Sequence, residues 1–93
     1  MTITVEYFAQ ALTIAGVASE SLSFDGPVAL SEFVAELARR HGPKLRELLL
    51  SGNELSRTVI FAVDDQQVPP GENAMLQGGE RVLIVPPISG GQP

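Results

Sequence analysis

The chain has 93 residues, with 44% hydrophobic and 18% charged side chains, a formal net charge of −5 and no cysteine. That composition describes one small globular domain rather than a disordered segment, and it excludes disulfides, cysteine-based zinc sites and thiol catalysis. The acidic balance argues against nucleic acid or an anionic membrane as main partner, and suits either a basic docking surface on another protein or plain solubility.

The first ten residues, MTITVEYFAQ, have no positive flank and no long apolar stretch. No signal peptide or membrane span is expected, and the expected location is cytoplasmic. Ile3, Val5 and Tyr7 alternate with polar residues, which predicts a half-buried strand. The stretch QALTIAGVASE loses the pattern and reads as a loop or short turn around Gly16. ESLSFD alternates again with Leu22 and Phe24 inward, and Asp25-Gly26-Pro27 ends it, so the first two strands are expected to pair antiparallel. Leu30, Phe33, Val34, Leu37 and Ala38 then recur at helical spacing. Ser31 is the expected N-cap, Arg39, Arg40 and His41 suit the helix C-terminus, and Gly42-Pro43 stops the helix. KLRELLL predicts a second, shorter helical stretch, followed by SGNELS as a loop.

TVIFAV is a strand closed by Asp64-Asp65, QQV pairs back, and PPGEN is a loop. Gly78-Gly79 turns the chain into a last strand from about Arg81 to Val85. The order is β-β-α-β-β, and the first and last strands lack partners close in sequence. Placing them side by side in the middle of one mixed sheet buries both. The expected fold is therefore α+β, a ubiquitin-like β-grasp with four to five strands and one main helix on one face, over residues 1–87, with a C-terminal tail at 88–93. A ferredoxin-like arrangement would need a second full helix elsewhere. With one helix for two sheet faces, the uncovered face is expected to expose an apolar patch including some of Phe61, Val82 and Ile84, which docks a partner protein.

No catalytic constellation emerges. His41 is the single histidine and reads as a polar residue at a helix end. Asp64-Asp65 and Gly78-Gly79 read as turn formers, and no metal-ligand set is available. The stretch PPISGGQP is more informative. Pro86 and Pro87 remove ladder donors, so the strand must end there, and they favour an extended, stiff continuation. Six residues from Pro86 to Gly91 reach about 20 Å. Ser89, Gly90 and Gly91 have so little bulk that their backbone can pass a narrow channel and approach a nucleotide closely.

Three stretches, VEYFAQALTIAGVASESLSF, VIFAVDDQQV and GGERVLIVPPISGG, carry a resemblance to the molybdopterin synthase small subunit (MoaD) and thiamine-carrier (ThiS) family of β-grasp sulfur carriers. With the helix between them they cover nearly the whole chain. The resemblance implies that the Gly91 carboxylate is adenylated by an ATP-using, ubiquitin-activating-type enzyme and converted to a thiocarboxylate. It further implies that the sulfur is delivered to molybdopterin inside a complex with the synthase large subunit. The chain would bind no cofactor itself, ATP being used by the activating partner. Gln92-Pro93 departs from the family ending: an amide at Gly91 cannot be adenylated, so either the two residues are removed, as by a tail-trimming metallopeptidase, or the chain serves another purpose. The alternatives are a carrier for cysteine, thiamine or a specialised metabolite, a ubiquitin-like modifier joined to lysines through Gly91, and a non-covalent β-grasp binding module.

Overall fold

The computed structural model describes residues 1–87; Ser89, Gly90 and Gly91, with the rest of the tail assigned from sequence, lie outside the described residues. Strand β1 (Thr2–Tyr7) leads into α1 (Ala9–Ala15), β2 (Ser19–Ser23) and the two-residue β3 (Val28–Ala29). Helix α2 (Leu30–His41) turns sharply into α3 (Pro43–Leu49), which runs into the small hairpin β4 (Leu50–Ser51) and β5 (Glu54–Leu55). Then come β6 (Ile60–Val63), β7 (Gln66–Val68), β8 (Met75–Leu76) and β9 (Arg81–Val85).

The main sheet has the order β2-β1-β9-β6-β7. Its centre is the parallel pairing of the first and last strands, with Thr4 opposite Arg81 and Tyr7 opposite Ile84. Antiparallel neighbours flank this pair on both sides. This is the β-grasp expected from two strands that have no local partner.

Period-two burial in β1 and β9 puts Ile3, Val5, Tyr7, Val82 and Ile84 on one face. Phe61 joins them because it stands opposite Ile84. Leu30, Phe33, Val34, Leu37 and Ala38 of α2 complete the same core, the helix face read from their spacing. Phe24 is half-buried, its ring tilted against Phe33 at 5.7 Å between centroids.

Four local expectations need correction. QALTIA is not a loop but α1, held by the buried Ala11 and the half-buried Ile14 and closed by Gly16 at φ 79°. Ala9, Gln10, Ala11, Leu12 and Ala15 are good helix formers, but the helix is only two turns long and Phe8 at the N-cap offers no side-chain acceptor, so its start carries no capping signal. SGNELS contains the β4–β5 hairpin. The Val28–Ala29 and Met75–Leu76 pairing is a second small ladder with no sequence signal beyond two residues per strand. Ser31 is not the N-cap of α2, which begins one residue earlier. Instead Asn73, delivered by the β3–β8 ladder, accepts the Ser31 N–H at 3.1 Å and donates to Ser31 Oγ at 2.8 Å. The cap is supplied from 42 residues away in sequence, beyond the reach of any local pattern.

The turn expectations hold. Asp64 and Asp65 both take positive φ, 50° and 69°, the paired left-handed turn that a two-residue hairpin requires. Gly42 ends α2 at φ 102° and donates its N–H to the Ala38 carbonyl at 2.8 Å.

Candidate functional site: the tail root and the uncovered sheet face

Strand β9 ends at Val85, where Pro86 removes the next ladder donor. Pro86 is buried and belongs to the packed domain; Pro87 is exposed. Of the two prolines that lead into the tail, Pro87 presents surface, so it is taken as the tail root. It leaves the sheet at the end where Tyr7, Phe8 and Ile60 also lie. Tyr7 pairs with Ile84, Ile60 pairs with Val85, and the Phe8 N–H donates to the Ile84 carbonyl at 3.1 Å.

An apolar surface surrounds this root, but it is not the one expected. Phe61, Val82 and Ile84 are 3%, 0% and 0% exposed. They point under α2, and their neighbours in sequence take the uncovered face. A strand shows alternate residues to opposite sides, so a choice of parity moves every one of them together. The surface residues are Ile60 (46% exposed) with Leu83, Val85 and Ala62 half-buried beside it. Phe8 (41%), the extended residue before α1, and Leu12 (39%) on α1 are further exposed apolar side chains.

The other half of that face is charged. Arg81 Nη1 lies 3.5 Å from Glu6 and Nη2 lies 3.3 Å from Asp65. The Asp64 carboxylate accepts the Arg81 backbone N–H at 3.0 Å, which fixes the hairpin against the strand. The face therefore grades from apolar at the tail root to ionic at the far end.

Inside this end of the domain sits a polar knot that sequence reasoning did not find. Tyr7, only 2% exposed, donates its hydroxyl to Glu20 Oε2 at 2.6 Å, and His41 Nε2 donates to the same oxygen at 2.6 Å. Burial, then the bond to Glu20 and its charge, push the Tyr7 phenol well above its ordinary range, opposed by Arg40. Partial burial pushes the Glu20 carboxyl upward, but the bonds from Tyr7 and His41 outweigh that and hold it below its ordinary value. The knot joins β1, β2 and the end of α2. Its three groups satisfy one another. Among the described residues, no three acidic, histidine or cysteine side chains cluster to hold a metal. No helix among the described residues is long and apolar enough to cross a membrane.

A mixed sheet with its first and last strands paired at the centre, a helix across one face and an apolar tail root defines a ubiquitin-like β-grasp protein. The sequence profile of the ThiS family matches residues 5–91, and the chain belongs to that family. It is 30% identical over 91 residues to the molybdopterin synthase sulfur carrier subunit of Chlamydomonas reinhardtii, covering 98% of this chain and 100% of that one. Among solved structures it is similar to SAMP1 from Haloferax volcanii, with a TM-score of 0.77 and 19% identity over 98% of this chain and 100% of that one. It is also similar to a chain in the Amycolatopsis orientalis BexX/CysO complex, with a TM-score of 0.72 and 24% identity over 96% of this chain and 99% of that one.

Proposed function

We propose that this protein is a sulfur carrier whose working group is the carboxylate of Gly91, and that the sulfur goes to molybdopterin. The observation that carries this reading is the position of β9. The strand that precedes PPISGG is locked at the centre of the sheet, so the tail root at Pro87 is held by the most buried part of the domain. A terminus anchored in this way can be delivered into a partner's site while the domain docks as a rigid body. Membership of the ThiS family and the likeness to a molybdopterin synthase sulfur carrier subunit support the same conclusion.

In this reading a peptidase, a metallopeptidase by family analogy, hydrolyses the Gly91–Gln92 bond and frees the carboxylate. A ubiquitin-activating-type enzyme then uses ATP: a carboxylate oxygen attacks the α-phosphorus, releasing pyrophosphate and leaving an acyl-adenylate. A nucleophilic sulfur at the sulfide level displaces AMP and leaves the thiocarboxylate. The chain itself holds no cofactor. Its contribution is the backbone of Ser89, Gly90 and Gly91, narrow enough for a channel sized to glycine. Its other contribution is the uncovered sheet face, which presents Ile60, Leu83 and Val85 to the activating enzyme and then to the synthase large subunit. The cytoplasm, where cysteine-free carriers meet ATP and thiol donors, is the fitting compartment.

Gln92 and Pro93 favour one second reading, the same chemistry directed to another acceptor such as cysteine, thiamine or a specialised metabolite, because a tail that needs trimming gives a dedicated peptidase control over loading. The test compares residues 1–93, residues 1–91 and residues 1–91 carrying Gly91→Ala, each with the activating enzyme, ATP and a sulfur source. Intact mass should show one oxygen replaced by sulfur in the 1–91 form, none in the full chain without a peptidase, and little in the alanine variant. Thiocarboxylation of the full chain with Gln92-Pro93 still attached would defeat the proposal.

A further inference from the structure

Arg39, Arg40, Lys44 and Arg46 are four of the chain's six Lys/Arg residues, and the segment 39–46 contains none of its eleven Asp/Glu. The segment carries +4 within a net charge of −5, so the remainder carries −9. It spans the last turn of α2, the Gly42 corner and most of α3, and all four cations are exposed. The helix dipole accounts for Arg39 and Arg40 at the end of α2, but not for Lys44, which sits in the first turn of α3 where the dipole opposes a cation. Glu36 meets both arginines, accepting from Arg39 Nε at 3.0 Å and from Arg40 Nε at 3.4 Å, so one carboxylate serves two guanidinium groups. Arg46 reaches the Gly52 carbonyl at 3.4 Å.

The place of this corner is as informative as its charge. The His41 ring meets the Tyr7 ring at 5.8 Å, and Tyr7 pairs with Ile84 next to the tail root. The basic corner is therefore at the tail end of the sheet, on the helix side. The opposite end carries Asp25 after β2, Asp64 and Asp65 between β6 and β7, and Glu80 before β9. Arg81 offsets one of those four acids, and Glu20 and Glu36 offset part of the basic corner, so the charge along β9 is on balance more positive toward the tail. A groove between α2 and α3 runs through the corner, with Ala35, Ala38 and Pro43 among its lining and Arg39 and Arg46 beside them; Glu32 and Glu36 line it too.

We propose that the α2–α3 corner is a docking surface for an acidic protein segment on the partner that receives the tail, with the cations steering that partner to the Pro87 end. The partner's role rests on the carrier reading; the binding does not. A polarised charge raises association rates most when the attractive end is also the reacting end. The alanine and proline surface of the groove suits aliphatic side chains; its own charged lining is balanced, and the preference for carboxylates comes from the +4 of segment 39–46 as a whole. A nucleic acid would meet the −9 of the remaining surface as it lay across the domain.

The test titrates the isotope-labelled full chain with a short glutamate-rich peptide containing leucine, with a lysine-rich counterpart, and with a single-stranded oligonucleotide. Amide resonances of residues 35–47 should move with the glutamate peptide and not with the lysine peptide, and affinity should fall as salt rises. Lys44→Glu, an exposed change, and the double variant Arg39→Glu with Arg46→Glu should each weaken binding, the double by at least about tenfold, or about 1.4 kcal/mol. Arg57→Glu, outside the corner, should leave it unchanged. Dispersed spectra confirm that each variant is folded. Unchanged affinity in Lys44→Glu and the double variant, shifts scattered over the surface, or tighter binding of the oligonucleotide would each overturn the proposal. So would self-association that the glutamate peptide does not compete away. Failure of thiocarboxylation would leave this binding untouched, so the two proposals fail separately.

Discussion

Tyr7 and His41 meet edge to face, their ring centroids 5.8 Å apart at 84°, and both donate to one oxygen of Glu20. The pair fastens the end of α2 to the end of β1, beside the point where the chain leaves the sheet. Tyr7→Phe removes one donor and should destabilise the domain by about 1 kcal/mol; Glu20→Gln leaves a buried hydroxyl poorly matched and should cost about 1–2 kcal/mol. Against the upward push of its partial burial, the bonds from Tyr7 and His41 lower the Glu20 carboxyl from an ordinary value of 4.5. A group depressed in the folded state adds stability that is complete above its unfolded value and is lost as pH falls through the folded one. The stability gap between the native chain and Glu20→Gln, measured in denaturant, should therefore be constant near neutrality and close below about pH 4.5. A gap that persists undiminished in acid would show that the charge plays no part.

Leu37 is 0% exposed in the centre of α2. Leu37→Ala should cost about 2–5 kcal/mol through the cavity it leaves. Against a total stability of about 5–10 kcal/mol that is severe, and a loss of unfolding free energy below about 1 kcal/mol in a urea titration would contradict the packing.

Charge on the two faces of β6 and β9 should have opposite consequences. Leu83→Glu and Ile60→Glu fall on the uncovered face and should keep the fold while weakening binding to the activating enzyme by at least about tenfold. Phe61→Glu buries a charge under α2 and should unfold the domain. Far-ultraviolet dichroism and a binding titration on the same samples separate the two, and equal binding by native and Leu83→Glu proteins would show that this face is not the docking face.

Asp65 holds φ at 69° at a local cost that glycine does not incur. Its contact with Arg81 at 3.3 Å is on the surface and worth little. Asp65→Gly should raise stability by about 0.5 kcal/mol or more, whereas Asp64→Gly should not, because the Asp64 carboxylate accepts the Arg81 N–H. Thermal unfolding of the two variants side by side decides the point.

The β-grasp was legible because its signals are local and strong: alternation at Ile3, Val5 and Tyr7, helical spacing from Leu30 to Ala38, and turns at Asp64-Asp65 and Gly78-Gly79. The central pairing followed from exclusion, since strands without local partners must find each other. Parity was not legible. TVIFAV and RVLIV are apolar at nearly every position, so nothing in them says that Phe61, Val82 and Ile84 go inward while Ile60, Leu83 and Val85 face out. Glu20, Tyr7 and His41 are brought together only by the fold, and the Asn73 cap of α2 likewise comes from a distant loop. The Gly90-Gly91 reading rests on chemistry rather than on structure, and these residues lie outside the described ones.

The parallel pairing of β1 with β9 also has a consequence for the order of events in synthesis. Thr4 must wait for Arg81, and Tyr7 for Ile84, before the sheet has a centre. Contacts so distant in sequence make the domain a late folder: the N-terminal half can collapse or form helix, but it has no native core to settle into until residue 85 has been made. The residues that immediately follow are those of the tail. A chain interrupted before β9, or one whose last strand has peeled away, lacks both the core and any fixed origin for Pro87. Under the proposed carrier reading, loading at Gly91 would be conditional on a finished fold, and a partner that engaged the sheet face and the tail together would proofread each carrier before spending ATP on it.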